Sequence, residues 1–174
     1  MSDSVLPEED RWVFLIDPAW QEQGGDPQQP PLDAVVGGWY VEADGTTGRF
    51  EANPDYVPSG PGSPTDPVDA TLRLVNKGEA DAEALLATLR EAVLGVAIDE
   101  EGNPVIAPSP DDVASVLVTT APAHRRRVQV AGWQEVTAAE LAEVLPDEGV
   151  DVFVNPGSDA SMRLLAGAFK RAVA

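Results

Sequence analysis

Near its carboxyl end the chain reads Val150-Asp151-Val152-Phe153-Val154, with valine at every second position, and the pattern stops at Asn155-Pro156-Gly157. That alternation is the pattern of a strand, and Asn-Pro-Gly marks a turn. Ser158 then opens an amphipathic stretch reaching Val173. Met162, Leu165, Phe169 and Val173 form its apolar side, and Lys170 and Arg171 stand where cations suit a helix end. A buried strand, a tight turn and a helix laid back across the sheet is the repeating unit of mixed α and β architecture.

Other segments fit the same scheme. Trp12-Val13-Phe14-Leu15-Ile16 is a compact apolar run closed by Asp17-Pro18, and residues 34–42 are a second extended run containing Gly37-Gly38. Residues 21–31, rich in Gln, Gly and Pro, predict an exposed loop. Asp44-Gly45 predicts a turn, with Arg49-Phe50 beginning a returning strand. Residues 56–67 hold prolines, glycines and serines in quick succession and read as a connector.

Beyond the connector, Asp66 is placed to cap a helix, Pro67 suits its first position, and Val68, Leu72 and Val75 share a face before Gly78. Ala82, Leu85, Leu86, Leu89 and Val93 make a second helical stripe. Residues 94–98 and 113–120 read as strands, and a short helix ends in Arg125-Arg126-Arg127. Thr137-Ala138-Ala139-Glu140 has the form of a capping box. The expected fold is α+β: a mixed β-sheet flanked by helices over residues 66–174, with an acidic β segment and connector over residues 1–65.

Charge narrows the partners. The chain of 174 residues carries 30 acidic and 11 basic side chains, a net of −19, and the first 69 residues alone hold 14 acidic against 2 basic. Such a field opposes nucleic acid and anionic membrane surfaces, whose binding depends on neutralising phosphates. It favours solubility and could attract a basic partner, although the same acidity suffices as a plain solubility or salt adaptation. With no cysteine there is no disulfide and no thiolate metal site. The acidic opening residues are unlike a signal peptide, and no apolar run approaches the length of a membrane span. These features lead us to expect a cytoplasmic protein.

Reactive chemistry is sparse. His124 is the single imidazole, three arginines follow it and oppose its protonation, and no Gly-x-Ser-x-Gly elbow exists. Asp99-Glu100-Glu101 and Asp111-Asp112 lack the spacing of a calcium loop and read as solvated turns. Trp12, Trp20, Trp39 and Trp133 read as core or rim aromatics. No catalytic residue, metal ligand or cofactor is assigned.

Two candidate binding features stand out. Asn155, Gly157 and Ser158 lie at the expected junction of strand and helix, where free backbone N–H groups can hold an anion, although the same residues suffice for a plain turn and cap. Arg125, Arg126 and Arg127 form the one concentrated positive spot, able to dock an acidic group or simply to sit solvated at a helix end.

From about residue 80 onward, the order helix, strand hairpin, strand, short helix, strand, helix, strand, helix resembles the SseB-like domain family. The sharpest shared element is Val150-Asp151-Val152-Phe153-Val154-Asn155-Pro156-Gly157. The whole chain, with its Trp12-to-Pro18, Ala34-to-Trp39 and Ser63-to-Asp69 stretches, is similar to actinobacterial proteins associated with type VII secretion. The resemblance implies no catalytic residues. It implies an accessory, chaperone-like or interaction role, with protein partners drawn from secretion components or their substrates. The oligomeric state is left open.

Overall fold

The structure, a computed structural model, describes residues 9–24, 26 and 28–174. The expectations for residues 1–8, and for positions 25 and 27 of the 21–31 loop, lie outside the described residues. The chain divides into two compact units after Asp66.

The first unit is a small antiparallel sheet in the order β1-β2-β3. It comprises β1 (Arg11–Ile16), the short helix α1 (Pro18–Glu22), a 3-10 turn (Leu32–Ala34), β2 (Val35–Val41) and β3 (Glu51–Ala52). The 21–31 loop thus begins as a helical turn. Asp17 caps it, its Oδ1 accepting the Ala19 N–H at 2.9 Å, and Pro18 fills the first position, where a missing N–H costs nothing. The stretch read as a connector is held within this unit. Tyr56 donates its hydroxyl to the Pro64 carbonyl at 2.8 Å, and Asp17 gathers donors from Ser59 and Ser63.

The second unit is α+β. Its helices are α2 (Pro67–Asn76), α3 (Ala82–Arg90), α4 (Ala138–Val144) and α5 (Ala166–Val173). Its strands are β4 (Val93–Ile98), β5 (Ile106–Pro108), β6 (Ala114–Thr119), β7 (Gly132–Thr137), β8 (Asp151–Val154) and β9 (Met162–Leu164). A 3-10 helix (Pro122–Arg127) follows β6. The sheet runs β7-β4-β6-β8-β9, with β5 on β6, and it is mixed: β6 and β8 are parallel and the remaining pairs antiparallel.

Alternation sorts the strand residues onto two faces. Leu94, Val96, Val116, Val118, Val152 and Val154 join Leu72, Leu85, Leu89, Leu141 and Phe169 of the helices in the main core. Ala97, Leu117 and Phe153 face the other way, against Val128, Val130 and Trp133. The Thr137–Glu140 capping box forms in full, each partner satisfying a backbone donor of the other. Among the described residues no helix is long and apolar enough to cross a membrane.

Two helical expectations are corrected. Val93 continues the spacing of the α3 stripe, but the helix ends at Arg90 and Val93 opens β4. More consequentially, the helix expected from Ser158 starts only at Ala166. Met162-Arg163-Leu164 instead pairs antiparallel with β8, Val152 opposite Leu164. The outer edge of β8 offers ladder hydrogen bonds to this segment, and that tertiary gain overrides the helical spacing. Leu165, assigned to the apolar stripe, is 60% exposed.

Candidate functional site

Asn155 stands at the carboxyl ends of the parallel pair β6 and β8, fully buried and in the left-handed region at φ 51°. Asparagine tolerates that conformation better than other side-chain-bearing residues. Its N–H donates to the Val118 carbonyl at 2.8 Å, continuing the ladder past the end of β8. Its Oδ1 accepts the Thr120 N–H at 2.9 Å, and its Nδ2 donates to Thr120 Oγ1 at 3.0 Å. Asn155 therefore splices β6 to β8 where the regular ladder stops.

The turn that follows does not lead into a helix, which corrects the strand-to-helix geometry expected for Asn155, Gly157 and Ser158. The Ser158 N–H closes on the Asn155 carbonyl at 3.1 Å, and Ser158 Oγ accepts the Ala160 N–H at 3.2 Å. No described helix begins at this turn. The amino end of α5 is elsewhere, and there the Ala166 N–H already donates to Asp151 Oδ1 at 2.9 Å. The helix start on which an anion site at residues 155–158 was expected to rest is therefore not formed by this turn.

The three arginines diverge. Arg125 bends over the sheet, its Nη2 3.1 Å from Glu135 Oε1 and its guanidinium 5.8 Å from the centre of the Trp133 ring. Gly95 makes room for it, because a Cβ there would lie 3.0 Å from Arg125 Nη2 and 2.8 Å from Thr119 Oγ1. Arg126 is exposed. Arg127 lies beside the turn, so that a Cβ at Gly157 would come 3.3 Å from Arg127 Cβ, and its Nη1 is 3.2 Å from His124 Nδ1. His124 is buried at 1% exposure. Of the six predicted residues, the structure brings Arg127 to Gly157 and turns Arg125 away to Glu135.

Arg163 makes a second polar cluster that sequence reading missed. Its Nε and Nη2 donate to the Asp111 carboxylate at 2.9 and 2.6 Å, and its Nη1 bonds Asp151, clamping the β5–β6 turn to β8 and β9. The Arg163 guanidinium, then the Ser109 hydroxyl, holds the Asp111 carboxyl down at about 2. A carboxyl depressed in the fold stabilises it fully above the unfolded value near ~3.9 and loses that contribution as pH falls toward the folded value. Replacing Arg163 with methionine is therefore expected to lower the urea midpoint most above about pH 4. The gap to the unaltered protein should close as the pH approaches about 2. A gap that stays constant from pH 5 to pH 2 would show that the ion pair is not its source.

Exposed aromatic and apolar side chains gather on β1 of the first unit. Trp12, Val13 and Phe14 of β1 are 43%, 42% and 54% exposed, and Tyr40 of β2 is 37% exposed. β1 is an outer strand, paired with β2 and with no other described strand. Trp12 and Phe14, two residues apart, share a face with their rings nearly parallel at 6.2 Å, and Tyr40 meets Trp12 edge-on at 5.5 Å. Gly37-Gly38 explains how two opposite faces carry aromatics at one place. Phe14 lies over Gly38, where a Cβ would stand 2.9 Å from its ring, and Phe50 covers Gly37 from the other side. The signal in the sequence was an apolar run without polar alternation inside the most acidic third of the chain. Comparison with family models, with curated proteins and with solved structures gives no match to this chain.

Proposed function

We propose that this chain is a non-catalytic, cytoplasmic accessory protein that presents surface to protein partners of type VII secretion. The observation that carries the reading is β1: three consecutive large apolar residues exposed on an outer strand. Soluble proteins normally blunt such edges with charge, proline or a covering element, and an uncovered apolar edge is the usual feature of a strand-docking surface. The secretion context rests on the resemblance of the chain to the SseB-like and type VII secretion-associated proteins. A cytoplasmic setting agrees with the lack of cysteine.

A photoreactive residue placed at Val13 in the full chain, expressed in its native cell, tests this directly. The expected result is adducts to a secretion component or substrate that are absent when the same group sits at Glu148 on the second unit. Identical adducts from both positions, or none from Val13, would contradict it.

A further inference from the structure

We infer that β1 accepts a basic, extended peptide as an added strand, its cationic side chains lying on the Trp12–Phe14–Tyr40 platform. This rests on the interaction-module reading above and names the partner's chemistry.

Three observations converge on it. The first is the edge itself. β1 spans six residues, a length of ~20 Å, enough for several ladder hydrogen bonds from an incoming strand.

The second is the platform's spacing and rigidity. Its two stacked rings are 6.2 Å apart, close to the ~6.6 Å between alternate residues of a strand. A peptide carrying Lys or Arg at every second position would set successive cations over successive rings, where the aromatic quadrupole attracts them. The rings are fixed beforehand: Phe14 seats on Gly38, and the Tyr40 hydroxyl donates to Asp10 Oδ2 at 2.7 Å. Binding therefore orders few side chains.

The third is charge, and it selects the occupant. Residues 1–66 hold 13 acidic and 2 basic side chains, a net of −11. The register places Trp12 opposite Tyr40 and Glu51 opposite Gly38, so alternation puts Asp10, Glu42 and Glu51 on the aromatic face around the platform. All three are exposed. A second copy of this chain would bring the same acidic rim against itself, and like charges directly opposed are repulsive. A basic strand meets opposite charge along its whole length.

The probe is a synthetic ten-residue peptide alternating Arg and Thr, titrated calorimetrically into the full chain. It is compared with a peptide carrying Glu for Arg and with one of the same composition interrupted by two prolines. The expected result is saturable 1:1 binding of the alternating peptide, at least tenfold weaker binding of the proline peptide, and none of the glutamate peptide. Trp12→Ala and, separately, Glu51→Lys should each weaken binding at least fivefold. Both positions are exposed, and circular dichroism checks that each variant is folded.

Equal affinity for the proline peptide would reduce the effect to general acid–base attraction and overturn the inference. So would affinity unchanged in both variants, or dimerisation of the chain through β1. The two readings fail separately. Peptide binding without adducts in cells removes the secretion role and keeps the partner chemistry, and adducts without peptide binding do the reverse.

Discussion

Replacing Asp17 with alanine is expected to destabilise the first unit by about 3 kcal/mol, because several donors lose one buried acceptor together. Asp17 is fully buried. Its Oδ1 takes the Ala19 N–H, and its Oδ2 takes the Ser59 N–H at 3.0 Å and the Ser59 and Ser63 hydroxyls at 2.8 Å each. Burial alone would raise its pKa, but the bonds from Ser59, Ser63 and Ala19 outweigh it and hold the carboxyl below its ordinary value. The residue fastens the end of β1 to the segment over residues 59–63, so its loss frees both.

In a unit of this size, that change corresponds to a fall in midpoint of more than about 10 °C. Asp17→Asn is the sharper variant: nearly the same volume, but one acceptor oxygen becomes a donor facing donors. Trp12, Trp20 and Trp39 report on this unit, and Trp133 on the other. Fluorescence of Asp17→Asn carrying Trp133→Phe should show the loss. An unchanged midpoint would mean that the serines find other acceptors.

In the second unit the largest effect is expected at Asn155. Alanine there lacks the side-chain amide that helps asparagine tolerate the left-handed region, a difference of about 0.5–1 kcal/mol, and removes the hydrogen bonds to Thr120. The Thr120 N–H loses its partner near the end of β6, for about another 1–2 kcal/mol. The total expected loss is about 2 kcal/mol, read from urea unfolding followed at Trp133. Asn155→Gly separates the two contributions. It relieves the backbone but not the amide, and should recover about 1 kcal/mol relative to alanine. If glycine matched asparagine, the splice between β6 and β8 would rest on backbone conformation alone.

Features written locally were legible in the sequence. The Pro67 start of α2, the Thr137–Glu140 box and the extended runs at β1 and β2 depend on neighbours within a few positions. Features that depend on distant partners were not. Met162, Leu165 and Phe169 carry helical spacing, yet whether residues 162–164 coil or pair is decided by the β8 edge and by Arg163 reaching Asp111 and Asp151.

The arginine cluster was visible as charge, but its divergence was not. On a 3-10 helix successive residues point about 120° apart, so Arg125, Arg126 and Arg127 cannot form one surface. Trp12 and Phe14 were legible as strand residues. Their exposure follows from what lies beside the strand, and no local pattern encodes that.

If the chain works through the outer edge of β1, amide exchange read residue by residue with and without the alternating Arg-Thr peptide tests it most directly. The expected result is slowed exchange within residues 11–16, with the amides of β6 and β8 unchanged. Saturating peptide that leaves β1 exchange untouched, or that protects residues 155–158 instead, would contradict the account.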